Sequence, residues 1–377
     1  MKKLIFLVIA AMLFSLLISN FAFSEMTEIK VGKGTLKIGG ILQAGFTYHV
    51  EDKEGTDQFT LNRARFLFWG VIVPDKVKYF VQLEHNKGVG VLDYKAQFFY
   101  IPQTEITFGR FLPNFTLYMP YSTAKLEMIS YPLFIYYKDP KTDKYLYAPW
   151  RQVGIQTTTK TDYVDFNLGI FNGADQTNNT SDNNDAKDFL ARVDFKPPVD
   201  QAQIRVGGYA WIGSALPQYS KTWKDTIVVN SDTVFQDRSV SKSFPDETLK
   251  MNRFGGFARV DYKATENVTV KFRGEFLTAS TENLFFAHVD SVATTDAQAY
   301  FAHVGIKPDP RVEFLVRYDF HDPDTDRDDD AVSWFTGGVN YYLEGINAMF
   351  YLNYIHKMEE GTEVDNDIVQ GQVQITF

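Results

Sequence analysis

The closing residues of the chain, IVQGQVQITF, alternate in character. Val369, Gly371, Val373, Ile375 and Phe377 hold one parity, and Gln370, Gln372, Gln374 and Thr376 hold the other. A period of two marks a strand with one apolar and one polar face. The pattern recurs along the chain, giving sixteen segments. They fall at 39–49, 59–73, 76–86, 90–101, 104–111, 150–159, 163–173, 188–196, 202–213, 250–263, 267–278, 298–307, 311–321, 332–343, 346–356 and 367–377. The run 311–321 shows it clearly: Val312, Phe314, Val316, Tyr318 and Phe320 oppose Arg311, Glu313, Arg317, Asp319 and His321.

The connections alternate too. Short links such as Pro74-Asp75 and Glu344-Gly345 take turns with longer ones at 50–58, 112–149, 174–187, 214–249, 279–297, 322–331 and 357–366; the link 87–89 is the short exception among the latter. Tight turns at one end and long loops at the other predict an all-β fold, a 16-stranded antiparallel transmembrane β-barrel. An even strand count lets the first and last strands pair, so neither edge stays open. Soluble sheets rarely use so many strands in one unit.

The first residues fit this reading. Lys2 and Lys3 precede an apolar run from Leu4 to Ile18, and Ala22 and Ser24 stand just before Glu25. This predicts a signal peptide over 1–24 and a mature barrel domain over 25–377. The chain has no cysteine, so a disulfide framework is excluded. It is rich in aromatics, with 21 Tyr and 33 Phe. Tyr48, Phe59, Tyr79, Phe99, Tyr100, Tyr262, Tyr318, Phe320, Tyr341, Tyr342 and Tyr354 lie near segment ends, as girdles at the two membrane interfaces require.

Net charge is −9, and removing the two signal lysines makes it −11. Position reverses that impression. On the parity opposite the apolar face stand Arg63, Arg65, Lys78, Lys95, Arg151, Arg192, Arg205, Arg253, Arg259, Lys271, Arg273, Lys307, Arg311 and Arg317. Against these 14 stand 8 acids: Glu84, Asp93, Asp165, Asp194, Asp261, Glu275, Glu313 and Asp319. Other acids crowd the loop Asp322–Asp330. A basic lumen would draw anions, and guanidinium forks suit oxyanions. Alternatively, the lumenal arginines pair with acids on neighbouring strands and hold the wall together. No catalytic triad, P-loop or metal-ligand spacing is present, so neither an enzyme nor a cofactor is expected. Nucleic acid is not an expected partner.

Several stretches resemble the phosphate-selective porins of the O and P type: LNRARFLFWG (61–70), ITFGRFLPNF (106–115), WRQVGIQ (150–156), FNLGIFNGAD (166–175), DFLARVDFKP (188–197) and FTGGVNYYL (335–343). The resemblance implies a homotrimeric channel in outer-membrane lipid of a bacterial cell, with the third loop folded into the lumen. It implies that Phe377 is an assembly signal read by the barrel-assembly machinery, and that Lys125 stands at the constriction. The pore-lining candidates for small anionic solutes are then Arg63, Arg65, Lys95, Lys125, Arg151, Arg192, Arg205, Arg253, Arg259, Lys271 and Arg273. The dense lysine cluster and arginine ladder of the selective members do not map onto this chain. Phosphate and polyphosphate therefore stand beside chloride, sulfate and small organic acids as solutes. A general or cation-tolerant porin, a barrel enzyme and an adhesive or structural barrel are the alternatives.

Overall fold

A computed structural model describes residues 28–50, 56–85, 88, 90–136, 147, 149–173, 185–215, 218–229, 232–243, 249–284, 292–362 and 364–377. The expected signal peptide, 1–24, lies outside the described residues. Sixteen strands form the barrel: β1 (Gly34–His49), β2 (Gln58–Val73), β3 (Val77–Glu84), β4 (Gly90–Ile101), β5 (Thr104–Phe111), β6 (Gln152–Lys160), β7 (Val164–Phe171) and β8 (Asp188–Phe195), followed by β9 (Ala202–Ala215), β10 (Leu249–Lys263), β11 (Thr269–Leu284), β12 (Val292–Asp309), β13 (Val312–Asp322), β14 (Val332–Glu344), β15 (Ala348–Glu359) and β16 (Ile368–Thr376). Each pairs antiparallel with its sequence neighbours. The β16 strand pairs with β1 from Ile41↔Thr376 to His49↔Ile368, which closes the sheet. Among the described residues no helix is long and apolar enough to cross a membrane.

Closure reaches the last residue. The Gly40 amide donates to the Phe377 carbonyl at 2.9 Å, and the Phe377 amide donates to Gly40 O at 3.2 Å. A Cβ at residue 40 would meet the Phe377 ring at 2.4 Å, so only glycine lets the terminal ring lie there.

Alternation sorts the two faces. On β13, Glu313, Leu315, Arg317, Asp319 and His321 are buried while Phe314 and Val316 are exposed. The exposed parity carries Leu42, Phe108, Ile155, Leu168, Ile212 and Phe254 on other strands. An outer surface this apolar is stable against hydrocarbon and unstable against water. Tyr100, Tyr163, Tyr262 and Tyr341 are exposed near the short-turn end, where a girdle belongs. Two expected girdle residues turn inward instead. Tyr342 is buried with its hydroxyl donating to Glu313, and the Phe99 ring lies under Lys78 Nζ at 4.8 Å.

The structure extends two strands beyond their expected ends. The β11 and β12 strands stay paired as far as Leu284↔Val292, across the stretch 279–297 read as a loop. Thr278, Ser280 and Glu282 are polar on one parity and Thr281 and Asn283 on the other, so no period marks the strand. Alternation needs one apolar environment, and this part has none. Within 214–249 a hairpin pairs Gln218–Val229 with Asp232–Ser243.

Candidate functional site

The connection after β5 is long and, in its described part, aromatic: FLPNFTLYMPYSTAKLEMISYPLFIY over 111–136. Such a segment would be costly to leave in water. Phe115, Leu117, Met119, Leu126, Met128, Phe134 and Ile135 are all buried. The partners of this segment lie on the inward parity of strands around most of the circumference. Arg192 Nη1 donates to Thr116 O at 2.6 Å, and the Leu117 amide donates to Glu275 at 2.7 Å. Gln43 donates to Thr123 O at 3.3 Å and Gln374 to Ala124 O at 3.0 Å. Asn340 donates to Glu127 O at 2.7 Å, and Arg317 to Ser130 O at 3.0 Å. The Leu133 amide donates to Asp319 at 3.1 Å. A short helix, α1 (Leu133–Tyr136), ends this run.

One wall packs against the segment through apolar contact. Trp211 is fully buried, stacks on Phe171 at 5.1 Å and meets Phe115 at 5.6 Å. Its Nε1 donates to Asp188 at 2.7 Å. Tyr209 meets Phe115 at 4.7 Å and donates to Glu275 at 2.6 Å. Phe301 contacts Tyr118 and Phe134. These side chains come from β7, β9 and β12.

Cations on and beside this wall are matched by acids. Arg192 binds Asp194 at 2.7 Å, Arg259 binds Asp261 at 2.9 Å and Arg317 binds Asp319 at 2.7 Å. Each is an Arg-x-Asp pair, and residues two apart on a strand share a face. Arg205 reaches Asp165 at 3.3 Å and Asp194 at 3.2 Å. Arg273 holds Glu127 at 2.8 Å and Asp261 at 2.5 Å. Lys271 holds Glu313 at 2.6 Å and Glu127 at 3.4 Å. Arg253 is buried in the field of Asp188. Burial alone would raise the Glu127 carboxyl, but Arg273 and Lys271 outweigh it and hold it at about 2.

The opposite wall, β2 to β6, is built differently. Arg63 Nη1 donates to Gln43 Oε1 at 2.7 Å and its Nη2 to the Tyr136 hydroxyl at 3.1 Å, both neutral acceptors. Arg65 pairs with Glu84 at 2.6 Å and donates to Thr123 Oγ1 at 3.0 Å. Arg151 pairs with Asp93 at 3.0 Å. Lys95 Nζ lies over Phe80 and Phe111, at 5.6 and 5.8 Å. Lys125 closes the 3₁₀ turn Thr123–Lys125 and is exposed. Arg110 adds another cation, its Nη1 donating to Val91 O at 2.5 Å and Leu92 O at 3.1 Å. Irregular register between Gln43 and Ala44 on β1, opposite β2, and between Gln82 and Leu83 on β3, opposite β4, lies beside Arg63 and Asp93. Bulges of this kind re-aim side chains.

The structure thus brings Arg63, Arg65 and the Thr123–Lys125 turn together, joined through Gln43 and Thr123. It places Arg192, Arg205, Arg253, Arg259, Lys271 and Arg273 among acids on the packed side. Arg311 lies in the turn before β13 and is exposed, rather than on the inner wall. The inward apolar residues Phe171, Tyr209, Trp211, Phe257, Leu277 and Phe301 were not singled out from sequence. The signals for them were apolar residues on the polar parity of these strands and the aromatic content of 111–136.

No protein-family model matches this sequence, and no curated protein sequence matches it. Solved structures do match its fold. The outer membrane channel DcaP of Acinetobacter baumannii is similar with a TM-score of 0.61 at 12% identity, over 93% of this chain and 100% of that chain. An anion-selective porin from Comamonas acidovorans is similar with a TM-score of 0.57 at 12% identity, over 91% of this chain and 100% of that one. OmpT, an outer-membrane protein of Vibrio cholerae, gives 0.56 at 13% identity, over 93% and 100%. The fold is therefore that of the bacterial porins as a class. A closed sixteen-stranded barrel of this class with an apolar outer belt is built for the bacterial outer membrane.

Proposed function

We propose that the chain is a passive outer-membrane channel that prefers small anions. The observation that carries this reading is the wall β2–β6. Among the described residues, Arg63, Lys95 and Lys125 have no carboxylate within ion-pair distance, whereas the arginines of the other wall are matched. Cations neutralised by neighbours add little field in the lumen, and cations on neutral partners add most of theirs. The segment 112–136 is the loop folded into the lumen, and it narrows the passage toward this wall. Solute then moves past the side chains of Arg63, Lys95 and Lys125. Diffusion through such a passage needs neither a catalytic group nor a cofactor.

Phosphate is the favoured oxyanion through the sequence resemblance, and the Arg63 fork has the geometry for it. A homotrimer is the assembly we infer. OmpT of Vibrio cholerae has been solved in a trimer form, similar to this chain with a TM-score of 0.54 at 13% identity, over 91% of this chain and 99% of that one. The barrel-assembly machinery is the partner proposed for Phe377.

The test is the reversal potential of the purified channel in a planar bilayer across a tenfold KCl gradient. An anion-selective potential is expected, and a cation-selective one rejects the reading. The triple variant Arg63→Ala, Arg65→Ala, Lys125→Ala should move the potential to zero or past it.

A further inference from the structure

We propose that Arg63, Tyr136 and Trp150 form a binding site for organic anions that carry an aromatic ring. The proposal rests on the anion-channel reading above and adds a ligand class to it.

Three rings meet beside Arg63. Tyr131 meets Tyr136 edge-to-face at 5.6 Å and Trp150 edge-to-face at 6.1 Å, and Tyr136 and Trp150 are tilted to each other at 5.5 Å. Tyr131 is buried at the back, while Tyr136 keeps 40% of its surface exposed and Trp150 is half-buried. Trp150 has a φ of 46°. That left-handed conformation is strained for a bulky residue, and strain of this kind gathers at functional sites. The polar partner is at the rim of the cluster, since the Tyr136 hydroxyl itself accepts from Arg63 Nη2.

Charge favours an anion at this place. Tyr131 sits in the fields of Arg63, Arg65 and Arg151 together. Arg65 and Arg151 already hold Glu84 and Asp93, so an incoming anion must compete with a tethered carboxylate. Among the described residues Arg63 holds only a carboxamide and a phenol, which a carboxylate displaces at lower cost. A bare tetrahedral oxyanion would use the guanidinium and gain nothing from the rings. A carboxylate on a benzene ring uses both, because a ring within about 4.5–7 Å of Tyr136 or Trp150 adds an aromatic pair.

Benzoate and cyclohexanecarboxylate share charge and approximate size and differ in aromaticity. Each is titrated against the single-channel current of the full protein in KCl. Benzoate should half-block at a concentration roughly three- to tenfold lower, the range one aromatic pair supplies. Tyr136→Leu should erase that ratio. Arg63→Gln should weaken both blockers together. Equal block of the wild type by the two acids overturns the proposal without any variant. A ratio that survives both Tyr136→Leu and Trp150→Leu overturns it as well. The KCl potential separates the two levels. Anion selectivity with equal block rejects the ligand class alone, while cation selectivity rejects the channel reading beneath it.

Discussion

Two short sequences on opposite sides of the barrel put arginine to different uses. On β8, β10 and β13 it is followed two residues later by aspartate: Arg192-Val-Asp194, Arg259-Val-Asp261 and Arg317-Tyr-Asp319. On β2 it is followed two residues later by another arginine, Arg63-Ala-Arg65. Because residues i and i+2 share a strand face, the first motif makes its own ion pair and the second makes a repulsion. The self-paired arginines are then free to anchor backbone. Arg192 donates to Phe115 O and Thr116 O, and Arg317 to Ser130 O and Tyr131 O. The Arg-x-Arg pair is only half neutralised, by Glu84 on the adjoining strand. Both walls touch the long loop, but one pairs its arginines with its own acids while the other leaves Arg63 on neutral partners.

The sharpest way to break the contrast is to damage the packed wall. Trp211→Ala removes a fully buried ring that touches Phe171 and Phe115. Truncation of a buried aromatic costs about 3–5 kcal/mol. Thermal unfolding in detergent should shift down clearly, and single channels should become noisier as the loop loosens. Unchanged melting and quiet channels would mean that the loop is held by its hydrogen bonds alone.

A change remote from both walls supplies a reference for assembly. Deleting Phe377, or replacing it by Ser, should lower the outer-membrane level several-fold more than Val369→Ala, measured by quantitative blotting of membrane fractions. Losing one side chain's burial is worth about 1.5–3 kcal/mol, and Phe377 is 58% exposed. A large defect would therefore point to recognition of the terminal ring rather than to lost packing.

Selectivity sharpens the same contrast on the other wall. Lys95→Ala and Arg205→Ala each remove one charge from the inner face. Lys95 lies over two rings, whereas Arg205 lies between Asp165 and Asp194. Lys95→Ala should move the KCl reversal potential toward zero by several millivolts. Arg205→Ala should move it less, and equal shifts would show that pairing does not set the field.

Much of the barrel was legible from period two alone. The closing run from Val369 to Phe377 pairs with β1 as its alternation requires, and most strand ends fall within a few residues of the expected ones. Strand ends that rise beyond the apolar belt were not legible, since around Thr281 both faces are polar. The inner face was legible only in part. Parity shows that Trp211 shares a side with Arg205, but not that a distant Phe115 will cover it. It identifies Arg63 and Arg65 as inward without revealing that Glu84 answers only one of them. Those facts depend on strand register and on the course of the loop, and neither leaves a local periodic signal. The three Arg-x-Asp repeats were visible in the sequence and did carry information about pairing.

The smallest expected effect lies where the two systems meet, at Glu127. This loop carboxylate faces Arg273 and Lys271, which hold it ionised down to about 2, below its ordinary value of 4.5. A depressed folded value gives stability that is fully present above the unfolded value and is lost as pH falls through the folded one. The melting difference between wild type and Glu127→Gln should therefore be flat from pH 7 to about 4.5 and shrink between there and about 2. It should be modest even at pH 7. In the variant Arg273 keeps Asp261 at 2.5 Å and Lys271 keeps Glu313 at 2.6 Å, so neither cation is left bare. Melting curves in detergent at stepped pH measure it, and the carboxylates common to both proteins cancel in the difference. A difference that already collapses between pH 7 and 5 would mean that Glu127 titrates as an ordinary or raised carboxyl. The loop would then be less tightly coupled to β11 than these contacts require, and its hold there would be no firmer than its hold on Arg63 and Arg65.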